Sequence, residues 1–218
     1  MKTAVFLAIT AFLTRYIPFS AFFRNVDTLV HELSHALVTL ALSGEVRYIH
    51  LYADQSGVTL STYTTAWKAV PISLAGYFGS ALFALLLFYL HSKRKEKAGL
   101  IVIAVVALLG LALFVRNGYG MWWCGGFAAA TIVVYYLSKP GLIKGYYFLI
   151  AFICLVESVI SSIIVLSAAL QGGGSAGDAS NLSQATHVPA IFWAVLFTVF
   201  ALWCAKGSIA LFYKRGFD

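Results

Sequence analysis

One short motif constrains this chain more than any other segment: His31-Glu32-Leu33-Ser34-His35. Residues four positions apart on an α-helix are separated by about 400° of rotation, so both histidines leave the same face and can reach one metal ion. The flanking residues are apolar, and an ionisable group in such a membrane segment costs about 2.5–3.5 kcal/mol on insertion scales. The motif therefore predicts a functional metal site within a membrane helix.

The composition indicates a membrane protein. The chain has 218 residues, of which 61% are hydrophobic and 11% charged, whereas soluble domains are about 45–50% apolar. The net charge of +7 does not predict a nucleic-acid partner, because the basic residues lie mostly in short loops between apolar segments. No hydrophilic segment is long enough for a separate soluble domain. We expect one domain over residues 1–218, embedded in the lipid bilayer, with no nucleic acid bound.

Small residues inside the apolar segments are interpreted as packing residues. Cys124, Cys154 and Cys204 show no CxxC spacing, which argues against a disulfide framework and against a thiolate zinc site. Gly76 and Gly79 form a Gly-x-x-Gly pattern that predicts close contact between helices.

Apolar segments of about 20 residues, enough to cross about 30 Å of hydrocarbon, recur along the chain. The seven candidates are about 3–23, 25–42, 67–90, 99–115, 121–137, a segment within 142–170, and 188–212. The second carries the HExxH motif, and the sixth is long enough to contain a break or a re-entrant turn. We therefore predict an all-α polytopic membrane protein with about six to seven transmembrane helices.

Three basic clusters predict the orientation of these helices. They are Lys93, Arg94, Lys95 and Lys97; Lys139 and Lys144; and Lys206, Lys214 and Arg215. Seven spans place all three clusters on one side, which we expect to be cytoplasmic. Residues 43–65 and 171–187 then lie together on the opposite side. The HExxH motif lies near the middle of its span, so a ligand in a surface loop would be too far from it. One or both segments are therefore expected to enter the membrane, which is possible where their backbone lines a cavity of the protein.

Residues 45–63 have the pattern of a β-hairpin. Two β-branched and aromatic runs, 46–52 and 58–63, flank the turn-like Asp54-Gln55-Ser56-Gly57. We predict a short β-hairpin, or a re-entrant segment, directly after the HExxH helix at about 25–42. The hairpin either caps the helices or offers an exposed edge strand that pairs with an extended peptide.

The HExxH motif indicates a catalytic zinc site. A catalytic Zn²⁺ normally takes three protein ligands and keeps a fourth position open. His31 and His35 supply two of these ligands. Glu32 is predicted to act as the general base, which accepts a proton from the attacking water and later passes it to the leaving amine.

The third ligand must be another His, Asp or Glu that folds back to the same point. Spacing favours Asp178, in a third-ligand region at about 172–190, although an Asp at this place is also a natural helix N-cap. Glu157, within an apolar run, is the alternative. Asp27 lies one turn before His31 and is predicted to orient a ligand rather than bind the metal. His50 and His187 lie at segment edges.

The sequence resembles the site-2 protease class of intramembrane zinc metalloproteases, especially its small bacterial members without attached domains. The motif at 31–35 is similar to the family's first zinc motif, and residues 75–81 resemble its small-residue helix after the hairpin. Residues 177–193 resemble its second ligand region, in which the aspartate, here Asp178, completes the zinc site. One departure is that no Asn-Pro pair precedes Asp178, and Ala179 follows where better-known members often have glycine.

This resemblance implies a zinc metalloendopeptidase that cleaves in or next to a transmembrane segment of a membrane protein substrate. Zn²⁺ would be held by His31, His35 and Asp178, and the hairpin would present the substrate. A multi-pass protein of the bacterial cell membrane is expected, regulated by a separate membrane partner. Two alternatives stay open: a zinc hydrolase of lipid or prenylated peptide, with Glu157 as third ligand, and a non-catalytic membrane scaffold or transporter. Glu32 argues against the second, since a scaffold has no need of a base.

Overall fold

Seven α-helices and one β-hairpin make up residues 20–172 and 176–215, which the computed structural model describes. The elements are α1 (Ser20–Ala41), β1 (Glu45–Leu51), β2 (Gly57–Thr62), a 3₁₀ turn (Ala66–Lys68), α2 (Ala69–Ser92), α3 (Glu96–Leu109) with a π-helical turn (Gly110–Phe114), α4 (Gly118–Leu137), α5 (Pro140–Leu170), α6 (Asp178–Thr186) and α7 (Ala190–Arg215). The first predicted span, about 3–23, lies almost entirely outside the described residues.

Within the described residues, five segments are long and apolar enough to cross a membrane. They are the 3₁₀ turn with α2, α3 with its π-helical turn, α4, α5 and α7. The helix α1 is 22 residues long, but the ionisable residues near the HExxH motif lower its hydropathy. The predicted helical membrane protein with a short hairpin is thus confirmed. The break allowed within 142–170 is absent, because α5 runs unbroken for 31 residues.

The helix α2 lies at the centre of the bundle and packs against α1, α5 and α7. At Gly79 it lies directly against α1, because an added Cβ there would overlap Ser34 Oγ. This contact agrees with the packing role predicted for Gly79. Lipid tails are as apolar as leucine, so helices in a membrane associate mainly through close packing and interhelical hydrogen bonds.

Polar side chains link the helices inside the bundle. Arg24 of α1 forms a two-pronged ion pair with Glu157 of α5, with Nε–Oε1 at 2.8 Å and Nη2–Oε2 at 3.0 Å. Trp123 Nε1 of α4 donates to the carbonyl of Phe22 at 2.7 Å. Tyr147 of α5 donates to the carbonyl of Leu87 in α2. These bonds join α1 and α2 to the α4–α5 half of the bundle.

The three basic clusters lie at one end of the bundle. Glu96, at the start of α3, has Oε1 3.1 Å from Arg215 Nη1 at the end of α7 and 2.8 Å from His91 Nδ1 at the end of α2. Lys97 Nζ lies 5.8 Å from the ring centre of Tyr135, near the end of α4. The helix ends that carry the clusters therefore meet as the charge pattern predicts, and the cytoplasmic assignment of this end stays a prediction.

The hairpin forms within the predicted range. The strands pair antiparallel from Glu45↔Thr62 to Leu51↔Gly57, with an irregularity between Val46 and Tyr48. In the turn, the Ser56 amide and hydroxyl donate to Asp54 Oδ1 at 3.0 and 2.6 Å. These two hydrogen bonds lower the pKa of Asp54 and keep the turn carboxylate charged.

The two edges of this hairpin differ. Ile49 of β1 forms a bridge with Val115, and its carbonyl accepts from the Arg116 amide at 3.1 Å. Along residues 20–172 and 176–215, β2 pairs with β1 alone. Within these residues the second edge of β2 is therefore not paired with a strand.

We expect the Arg24→Ala substitution to lower the stability of the folded protein by about 3–5 kcal/mol, because it leaves the Glu157 carboxylate buried without its partner. A lower midpoint of thermal unfolding in detergent micelles would show this. The double variant Arg24→Met/Glu157→Met, which removes both charges, should recover most of the loss. An Arg24→Ala variant as stable as wild type would contradict a structural role for the pair.

Candidate metal centre

Three potential ligand atoms converge on one point between α1 and α6. His31 Nε2 lies 3.0 Å from His35 Nε2, and Asp178 Oδ2 lies 3.2 Å from the first nitrogen and 3.1 Å from the second. Within the described part of the chain, no other group of three His, Cys, Asp or Glu ligand atoms lies within 4.8 Å of one another. The third-ligand candidate favoured by spacing is thus the one that the fold brings to the motif.

The backbone of α2 fixes the orientation of His35. Its Nδ1 lies 2.6 Å from the carbonyl oxygen of Ile72, and the side chain is buried. A neutral imidazole that donates from Nδ1 carries its lone pair on Nε2. In this neutral form His35 would present an acceptor nitrogen to the cluster, as a metal ligand held by a backbone carbonyl does.

The start of α6 places Asp178. Gly177 has φ of 51° and occupies the N-cap position, and a glycine adopts this left-handed backbone without steric cost. Asp178 is the first residue of the helix, and the N-cap residue is Gly177. The Asp178 carboxylate faces the histidines, so the N-cap interpretation does not describe this residue.

Gly76 gives the two imidazoles their space. A Cβ at this position of α2 would lie 2.5 Å from His35 Nε2 and still closer to His31 Nε2. The packing role predicted for Gly76 is therefore more specific than helix contact, because the surface that packs on it is the pair of ligand rings.

The donor set fits a zinc ion. Bonds of about 2.0–2.2 Å to histidine nitrogen and carboxylate oxygen, in tetrahedral geometry, separate the ligand atoms by about 3.3 Å. The three separations of 3.0, 3.1 and 3.2 Å are close to this value. Two nitrogens and one oxygen leave the fourth tetrahedral position open, as a catalytic site requires.

The other candidate residues lie elsewhere. Glu157 is bound by Arg24, and His50 stacks on Tyr48 in the hairpin with ring centres 4.1 Å apart. His187 forms the left-handed C-cap of α6. Asp27 is buried, and in the described part of the chain its Oδ1 has no hydrogen-bond partner. The orienting contact to His35 comes from the Ile72 carbonyl, and the orienting role of Asp27 stays a prediction.

A cavity of about 740 Å³ opens in front of the three ligands. Glu32 lines it and is itself 5% exposed. Its Oε2 accepts a hydrogen bond from Thr59 Oγ1 of β2 at 2.7 Å. The remaining walls are the β2 segment 57–61, the Ile72–Tyr77 face of α2, and Asn181 and Gln184 of α6.

Tyr77 is a further wall residue that the sequence did not single out. Its ring meets His31 edge-on at 4.7 Å between ring centres and stacks on Phe197 of α7 at 4.5 Å. It therefore links the ligand face of α1 to α7. An aromatic residue in an apolar helix gives no sequence signal for this contact.

Residues 3–208 match the family model described as Peptidase M50B-like. The chain belongs to this family. The match confirms the resemblance to the site-2 protease class. No match was found among curated proteins or among solved structures. With its apolar helices, this M50B-like chain is an integral membrane protein of a peptidase family.

We expect zinc content to identify the three ligands of the M50B-like protein. Gently purified wild type should hold about one Zn²⁺ per chain by elemental analysis, and His35→Ala and Asp178→Asn should each lose most of it. The double variant Arg24→Met/Glu157→Met is the matched control and should retain zinc, because it removes the Glu157 carboxylate without leaving Arg24 unpaired. Loss of zinc in this double variant with retention in Asp178→Asn would overturn this ligand set.

We further expect Gly76→Ala to weaken zinc binding by at least about tenfold, because the new methyl group displaces both imidazoles. Competition with a chelator measures this affinity in detergent. Gly126→Ala is a suitable control, since an added Cβ meets nothing within 4 Å. Equal zinc affinities in the two variants would contradict this prediction, because they would show that α1 and α2 move apart at Gly76 without disturbing the ligands.

Proposed function

We propose that this M50B-like protein is an intramembrane zinc metalloendopeptidase that hydrolyses a peptide bond in or next to a transmembrane segment of another membrane protein. One observation carries the proposal: His31, His35 and Asp178 converge beside Glu32 at an open cleft of a helical membrane protein. The family supports peptidase chemistry, and the donor set supports Zn²⁺ as the cofactor.

The residues of the cleft divide the chemistry between them. A zinc ion held by His31, His35 and Asp178 would polarise the scissile carbonyl and acidify a water molecule. Glu32 takes the proton of the attacking water and returns it to the leaving amine. The Ile72 carbonyl keeps the His35 ring in place throughout.

The open edge of β2 supports an extended peptide as substrate. The β2 segment 57–61 lines the cleft, and its second edge is unpaired within the described ranges. An extended chain can add to such an edge through backbone hydrogen bonds. A helix hides its carbonyls in its own hydrogen bonds, so the substrate helix must unwind locally before it lies along β2. This geometry favours the substrate-binding role of the hairpin over a purely capping role.

The alternatives find less support in the arrangement. A lipid or prenyl-peptide hydrolase with Glu157 as third ligand needs a carboxylate that Arg24 already binds. A scaffold or transporter has no use for Glu32 at the cleft. The bacterial cell membrane and regulation by a separate membrane partner remain part of the proposal, drawn from the resemblance to small bacterial site-2 proteases.

The Glu32→Gln substitution tests the proposal. Purified protein in liposomes is incubated with a panel of membrane proteins that each carry one transmembrane helix, and fragments are identified by mass spectrometry. Wild type should cut at least one of them. Glu32→Gln should retain zinc but lose cleavage by about 10²–10⁴-fold, because the amide cannot accept the proton.

Two results would count against it. Cleavage by Glu32→Gln at the wild-type rate would remove Glu32 from the mechanism. The second result is a zinc-replete wild type that binds transmembrane helices of a varied panel but cuts none of them. This result would favour the hypothesis of a non-catalytic scaffold.

A further inference from the structure

The hairpin is fastened to one face of α1 at three points. Thr28, Glu32 and Thr39 are spaced four and seven residues apart and so share that face. Thr28 Oγ1 donates to the Gln55 carbonyl at 2.9 Å, and Thr39 Oγ1 donates to Ser61 Oγ at 3.3 Å. The middle bond runs from Thr59 Oγ1 to Glu32 Oε2 at 2.7 Å. The bonds of Thr28 and Thr39 therefore serve only to hold the hairpin on α1. The bond of Thr59 also contacts the side chain of the proposed general base.

Thr59 is the hydrogen-bond partner of the Glu32 side chain in the described part of the chain. Its hydroxyl has one proton and two acceptors in reach, Oε2 of Glu32 at 2.7 Å and the Glu32 carbonyl oxygen at 3.0 Å. A charged carboxylate is the stronger acceptor, and it is also the nearer one. The bond holds Oε2, and Oε1 keeps its lone pairs for water.

Gly57 makes this bond possible. A Cβ at Gly57 would lie 2.8 Å from Cγ and Oε1 of Glu32 and 2.8 Å from Thr28 Cγ2. The hairpin backbone therefore lies directly against the Glu32 side chain. Two residues further along β2, Thr59 lies on the same side of the strand as Gly57, because side chains alternate with period two.

We propose that Thr59 is a positioning residue for the general base: its hydroxyl holds Oε2 of Glu32 and so ties Glu32 to the strand along which the substrate docks. The inference rests on the proposed function. It adds a link between binding and chemistry, because a chain paired with the open edge of β2 immobilises the strand that carries Thr59. The carboxylate is then held in place when a scissile bond is present.

Four single variants separate this role from simple support of the hairpin. Thr59→Val keeps the shape and the β-branched side chain but removes the hydroxyl, and Thr59→Ser keeps the hydroxyl. Thr28→Val and Thr39→Val are matched controls, because each removes the same kind of threonine bond between α1 and the hairpin without touching Glu32. Zinc per chain, thermal midpoint, kcat and KM are measured for each on a substrate that wild type cuts.

Thr59→Val should lower kcat by about 10–100-fold, by analogy with the loss when a hydrogen-bond partner of a metal ligand is removed, while KM, zinc content and thermal midpoint stay near wild type. Thr59→Ser should restore most of kcat. Both control variants should keep the wild-type kcat even where the thermal midpoint falls.

Three results would overturn the inference. They are an unchanged kcat in Thr59→Val, an equal loss of kcat in Thr28→Val or Thr39→Val, and failure of Thr59→Ser to restore activity. In each case the wild type still cleaves and Glu32→Gln does not, so the proposed function survives. A wild type without cleavage would instead remove the proposed function itself.

Discussion

The cost of placing ionisable side chains in lipid governs this structure. A lone charge in the membrane is expensive, and four ionisable side chains of α1 have a partner in another element. Arg24 pairs with Glu157 of α5, His31 and His35 contact Asp178 of α6, and Glu32 accepts from Thr59 of β2. These contacts attach α5, α6 and β2 to α1, and the candidate metal centre lies among them.

The two carboxylates considered for the third-ligand position show how the fold decides between candidate ligands. Glu157 lies in the more apolar segment, which made it an attractive membrane ligand. Arg24 lies on α1 about two turns before His31, where it meets α5 and binds Glu157 in a two-pronged pair. Asp178 depends on a left-handed glycine that starts a short helix next to the motif. The ion pair with Arg24 thus occupies Glu157, whereas the backbone at Gly177 places Asp178 next to the histidines.

The sequence predicted the features that leave a periodic or spaced pattern. Helical segments, the HExxH face and the hairpin follow from hydrophobic runs, i to i+4 spacing and alternation with a turn between. It did not predict the groups that complete the site. The Ile72 carbonyl is a backbone atom present at every residue, the space at Gly76 is the absence of a side chain, and a single threonine in a strand is unremarkable. Their roles arise where helices cross, which no one-dimensional pattern records. The sequence likewise left open whether α5 is broken, and the helix runs without interruption from Pro140 to Leu170.

The proposed cleavage of a membrane protein requires water, an extended substrate and a base in one place, and the hairpin is the element that would bring them together. Its outer strand β2 forms a wall of the cavity at the metal centre, and its open edge offers backbone hydrogen bonds that can replace those lost when a substrate helix unwinds. Its inner side touches Glu32 through Thr59 and Gly57. Because side chains of a strand alternate while its backbone groups point along the sheet, one short strand can hold the general base on its inner face and an extended chain along its edge.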